Sequence, residues 1–152
     1  MIHKTFNNQP SPQPESQREN IFLTRCKVSK SVYSLIIDSG LYCNSCSTRL
    51  VDKLKFSIVP HLKLYKLHWI NEDGDIIIKD HVNVKFSVVN YNDQVLCDVV
   101  PMEACHILLG IPWQFDKKTT HNVLTNEITF THKQKKFVLH PLTPTQVLED
   151  RV

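Results

Sequence analysis

Eight consecutive residues set the first limit on the fold of this chain. From His81 to Val88 the sequence alternates strictly, with Val82, Val84, Phe86 and Val88 on one side and His81, Asn83, Lys85 and Ser87 on the other. Successive strand residues point to opposite faces, so this run is a strand with one buried face and one wet face. Asn90-Tyr91-Asn92-Asp93 is a turn signal, and Gln94–Val100 is expected to return as the partner strand. The same style recurs along the chain. Ile21–Val28 and Val32–Ile37 are short β-branched and apolar runs around the polar Ser29-Lys30-Ser31. Asp73-Gly74 separates Leu64–Ile70 from Asp75–Ile78 and predicts a hairpin. Ile128 and Phe130 are expected to face Phe137 and Leu139 across a basic turn. Helix is predicted only for Ser47–Leu54, which has a Ser/Thr start and Leu50, Val51 and Leu54 at helical spacing, and for a turn at Ile111–Phe115. Regularly spaced short strands favour an all-β closed or folded-over barrel with one or two short helices over a βαβ sheet.

Composition agrees with one packed domain. The chain has 152 residues, 41% hydrophobic and 22% charged, enough to build a core without metal or disulfide staples. Residues 1–19 read as a disordered tail or linker, since three of the eight prolines fall there among Asn, Gln, Ser and Glu. The domain is expected over residues 20–142. Residues 143–152 read as a second linker with room for a short helix starting at Pro144. A net charge of +3 is too mild to argue for direct nucleic-acid binding, and Lys133–Lys136 suits a solvated turn. No apolar run approaches the ~20 residues of a membrane span. Polar residues sit where a signal peptide would need its apolar stretch, so no membrane and an intracellular, cytoplasmic location are expected. Five cysteines is an odd count without a disulfide spacing, which fits reduced thiols.

The stretch richest in chemistry is Leu35-Ile36-Ile37-Asp38-Ser39-Gly40. An apolar strand ends abruptly in an acid, a hydroxyl and a glycine. By themselves the residues fit an ordinary turn better, and they also fit a partly desolvated carboxylate on a tight loop. A second apolar strand, Cys105-His106-Ile107-Leu108-Leu109, also ends in glycine, Gly110, and also leads into a short helix. The two halves echo each other.

These stretches together resemble the retropepsins, the aspartic proteases of retroviruses and LTR retrotransposons. More narrowly, the chain is similar to the protease segment of gypsy-type retrotransposon polyproteins of the plant type. The likeness is carried by Gln17–Phe22, Ser34–Gly40, Ser47–Leu54, Val95–Ala104 and His106–Gly110 with Pro112–Asp116, in that order. It implies a retropepsin-like barrel with one lobe per chain, acting as a homodimer. It implies Asp38 as the catalytic carboxylate, with Ser39 and Gly40 supporting the active-site loop. Leu108, Leu109 and Gly110 would form the strand beside it. Leu41, Trp69, Ile70, Asp73 and Gly74 would lie toward the substrate, the last four in a flap. The implied substrate is a peptide or polyprotein, with no cofactor and no metal. The chain offers one Asp-Ser-Gly, half of what a two-lobed enzyme carries.

Two features depart from the family. Leu41 stands where a small residue is usual and is expected to crowd the substrate or the dimer axis. The candidate flap has one glycine. Both favour a second reading, a degenerate retropepsin fold serving as a dimerisation or peptide-binding module. Other chemistries fit less well. Cys43-x-x-Cys46 with Cys105-His106 has the ligand types of a zinc site, but adjacent strand residues face opposite sides. No local signature supports a Cys/His nucleophile. Cys97 and Cys105 read as buried small hydrophobes, and Trp113 reads as packing. Asp98 and Asp116 read as solvated or paired groups.

Overall fold

The computed structural model describes residues 2–3, 21–68 and 75–150. Strands β1 (Ile2–His3), β2 (Ile21–Val28), β3 (Ser31–Asp38), β4 (Ser45–Ser47), β5 (Val59–His68), β6 (Asp75–Val88), β7 (Tyr91–Val100) and β8 (Ile107–Leu109) form one sheet. Its ladders run β6-β2-β3-β8-β4-β7, and β7 pairs again with β6, so six strands close a ring. The architecture is all-β. The alternation from His81 to Val88 holds residue by residue, since Val82, Val84, Phe86 and Val88 are all buried and Asn83 and Lys85 are exposed. Phe22, Cys26 and Val28 from β2, Tyr33, Leu35 and Ile37 from β3, and Ile107 and Leu109 from β8 fill the same core.

The strand β6 is long because it serves two partners. Its first half pairs with β5 and its second with β7, and His81 faces both Val59 and Asp98 where the partners change. The hairpin expected around Gly74 is present in its stems, from His68↔Asp75 to Tyr65↔Ile78. Its tip, with Trp69, Ile70, Asp73 and Gly74, lies outside the described residues. At the free edge of β5, Ile2 and His3 run parallel to Leu67 and His68. Two residues of the expected tail are therefore strand, because an open sheet edge offers backbone partners to any extended segment.

The turn after β6 also differs from expectation. It falls at Val89–Asn90, and Tyr91 begins β7. Asn and Asp favour turns, but Tyr91 is 1% exposed and packs against Phe86, Trp113, Phe130 and Phe137. Burial of a large aromatic outweighs local turn preference here.

Helix α1 (Thr48–Leu54) begins one residue after the expected start, because Ser47 is its N-cap and accepts from the Leu50 N–H at 3.1 Å. Helix α2 (Ile111–Lys117) follows Gly110, with Pro112 in its first turn. Then β9 (Thr120–Asn122), β10 (Glu127–His132) and β11 (Lys135–Leu139) make a small second sheet. Ile128 faces Leu139 and Phe130 faces Phe137, the expected register. Their buried side chains join the barrel core. Helix α3 (Pro144–Asp150) occupies the expected short helix near the end. No helix among the described residues is long and apolar enough to cross a membrane.

Candidate active site

The strand β8 enters the sheet between β3 and β4, which are consecutive in the chain. It runs parallel to β3, with Ile36↔Leu108 and Ile37↔Leu109, and antiparallel to β4, with Ser45↔Leu108. The loop from Ser39 to Asn44 must therefore arch over the end of β8. Gly110 lies directly beneath that arch. A Cβ at Gly110 would stand 2.2 Å from the Cys43 carbonyl oxygen and 2.8 Å from that of Leu41. Only glycine permits this approach, and its φ of −93° shows that the reason is space and not backbone conformation. The Gly110 N–H donates to Asn44 Oδ1 at 2.9 Å, and the Ile111 N–H donates to the Leu41 carbonyl at 2.8 Å. The Asp98 N–H donates to the Asn44 carbonyl at 2.8 Å. Asn44 thus ties the loop to two neighbouring strands.

Asp38 is the last residue of β3, facing Ile21 of β2, and is 3% exposed. Its Oδ1 accepts the Gly40 N–H at 2.8 Å, and its carbonyl accepts the Leu41 N–H at 3.4 Å. The carboxylate is oriented by the turn that follows it. Ser39 is exposed. It lines a cavity of about 170 Å³ together with Gln114, Thr119 and His121. The structure therefore gathers Asp38, Ser39, Gly40, Leu108, Leu109 and Gly110 into one locus.

Leu41 is turned inward in this chain. Its side chain is 2% exposed and packs with Ile78, Val100, Met102, Cys105 and Leu108. A bulky residue turned inward packs the loop against Ile78 of β6 and Leu108 of β8. Tyr42, beside it, is 60% exposed and is the large side chain the loop presents outward. Sequence reasoning assigned no part to Tyr42 or Asn44. The alternation along the loop was the available signal for the first; nothing local distinguishes the second, whose partner lies at Gly110.

The rival candidates take quieter positions. All five cysteines are free and buried. Burial pushes the thiols of Cys46 and Cys105 up to about 12, with Asp38 and the Cys46 thiol adding to the effect at Cys105. His106 Nδ1 lies 3.0 Å from Ser34 Oγ, bridging β3 to the segment before β8. Among the described residues no three His, Cys, Asp or Glu side chains are grouped to hold a metal ion. Asp98 is half-buried on β7. Asp116 is exposed and pairs with Lys117 at 3.1 Å. Trp113 is buried and donates its Nε1–H to Tyr91 Oη at 3.0 Å.

A closed six-stranded ring, with a later strand inserted beneath an Asp-Ser-Gly loop and a hairpin projecting from one side, defines a retropepsin-like fold. Among solved structures the chain is similar to the retroviral protease-like domain of Ddi1 from Leishmania major, with a TM-score of 0.60 and 10% sequence identity. The likeness covers 82% of this chain and 95% of that domain. It is a likeness of fold. No family profile and no curated protein sequence matches the chain.

Proposed function

We propose that the chain is one half of a homodimeric aspartic endopeptidase of gypsy-type retrotransposon origin, cutting peptide bonds of a polyprotein. The observation that carries this reading is the placement of Asp38. It ends a buried strand, the following turn orients its carboxylate through the Gly40 N–H, and the loop is bonded to Gly110. One carboxylate per subunit is half of a catalytic pair, and a second copy supplies the other. Two adjacent carboxylates cannot both ionise cheaply, so the pair holds one proton between them. The ionised member takes a proton from water, which attacks the peptide carbonyl. The protonated member donates to the developing oxyanion and then to the leaving amine. The apparent pKa values of such a pair belong to the dyad and not to either Asp. An extended substrate adds strand-like hydrogen bonds beneath the β5–β6 hairpin.

The second reading, a non-catalytic dimerisation or peptide-binding module, is favoured by the burial of Asp38, since a general base must reach water. Cleavage of a mixed peptide library at about pH 4 to 6 separates the two. Wild type and Asp38→Asn are compared at high protein concentration, where a weak dimer still forms. Cleavage by wild type that is lost in Asp38→Asn supports the aspartic mechanism. Equal, negligible cleavage by two folded and dimeric proteins overturns it in favour of the module.

A further inference from the structure

The end of the barrel opposite Asp38 carries a surface that peptide hydrolysis does not use. β3 spans eight residues from Ser31 to Asp38, so its ends lie roughly 25 Å apart. At the Ser31 end, β2 and β6 share the single ladder pair Lys27↔Ser87, and the surface is hollowed on both sides of it. Two open grooves of about 610 and 470 Å³ result, and Lys27 and Ser87 line both.

The larger groove is basic. Lys27, Lys85 and Lys133 line it, and none of the three makes an ion pair among the described residues. Its one carboxylate, Asp93, is already engaged by Tyr91, the Gln94 N–H and Lys117. The smaller groove is mixed. Val32 and Val89 line it with Arg25, which Glu149 of α3 already meets at 3.6 Å. The fold thus answers one cation of this face with an acid and leaves three unanswered.

Val89 is the second, independent observation. It holds φ at 55° and is 96% exposed. The left-handed region strains a β-branched side chain, and glycine would occupy it freely. A side chain that is strained and buries nothing within the subunit suits contact with something outside it.

We propose that this double groove docks an acidic peptide segment of a partner protein, its carboxylates on Lys27, Lys85 and Lys133 and an apolar side chain against Val32 and Val89. Charge complementarity selects the occupant. A single-stranded nucleic acid would need aromatic faces to stack on, and of the two rings lining the basic groove Phe86 is 4% exposed and the His132 side chain 13%. The chain's own first twenty residues offer no acidic segment, because Lys4 and Arg18 offset Glu15 and Glu19.

The test is fluorescence anisotropy with the full chain and a labelled peptide of glutamates around one leucine. A single-stranded oligonucleotide of equal net charge is the comparison. Micromolar binding of the peptide is expected, weakened about tenfold in Lys27→Glu/Lys85→Glu. Val89→Gly, which relieves backbone strain, is expected to bind a few-fold more weakly without a lower Tm, and Asp38→Asn is expected to bind as wild type does. Wild type that fails to bind the peptide below about 1 mM overturns the proposal. So does equal binding by the folded lysine variant, or tighter binding of the oligonucleotide. Unchanged binding by Val89→Gly removes the valine contact from it.

Discussion

Gly110 is the residue on which the candidate site depends most directly after Asp38. Its hydrogen is replaced by a methyl group in Gly110→Ala, and that methyl meets backbone oxygen at 2.2 Å, which no rotamer change can relieve. The Ser39–Asn44 loop must lift. A loss of about 1–3 kcal/mol in urea unfolding is expected, the range for overpacking a close contact. Any peptidase activity should fall further than stability, because the same shift moves Asp38. A variant of wild-type stability would show that the arch is looser than the contacts say. His106 supplies a second prediction at this scale. Burial, reinforced by Arg49 and Lys53, holds its imidazole below the usual 6.5. The unfolded chain therefore takes up the proton first as the pH falls. Stability from this group is present above about 6.5 and is lost as the pH drops toward the folded value. His106→Gln should lose less Tm than wild type between about pH 7 and 5. An equal loss in both proteins would clear His106 of any part in acid sensitivity.

Elements are joined by a polar cluster of Tyr91, Asp93 and Lys117. Lys117, in the last turn of α2, lies 3.1 Å from Asp93 on β7, and both side chains are largely buried. Burial by itself raises the Asp93 carboxyl. The bonds from Tyr91, Gln94 and Lys117 outweigh it and hold the group below its ordinary range. Burial likewise pulls the Lys117 ammonium down, and Asp93 and Asp116 outweigh that and hold it up. The signs are opposite. Asp93's contribution is full above about pH 4 and lost as the pH falls through its depressed folded value. Lys117's contribution is full below about pH 10.5 and lost as the pH rises through its elevated one. Lys117→Met leaves Asp93 without its ammonium partner and should cost about 2 kcal/mol. The Tm gap between variant and wild type should stay constant from about pH 5 to 9 and narrow below about pH 4. A gap that follows pH through neutrality would mean that another group governs the cluster.

At the scale of the whole molecule, the proposed function needs two copies facing each other across Ser39. The elements flanking Ser39 are α2 and β9, through Gln114, Thr119 and His121. Each leads to an exposed apolar side chain, Phe115 at 83% and Leu124 at 96%. Phe115→Glu/Leu124→Glu is expected to raise the dimer dissociation constant at least about tenfold by sedimentation, with activity falling in parallel. Dimers of unchanged affinity would move the interface elsewhere.

The local code of this chain was written in short-range terms and could be read as such. Alternation from His81 to Val88, the serine cap of α1 and the facing of Phe130 and Phe137 all follow from neighbours within a strand or hairpin, where side-chain period and turn chemistry act directly. The Asp-Ser-Gly and Leu-Leu-Gly endings were visible for the same reason. The inward turn of Leu41, the clamp by Asn44 and the reason for Gly110 were not. Each depends on β8 sliding between β3 and β4, which brings together residues some 66 to 72 positions apart. Tyr91 shows the same limit, since its strand position is set by aromatic partners drawn from α2, β10 and β11. Periodicity decides which face of a segment is apolar, whereas packing decides which of several apolar neighbours it meets, and only that second choice builds the loop that holds Asp38.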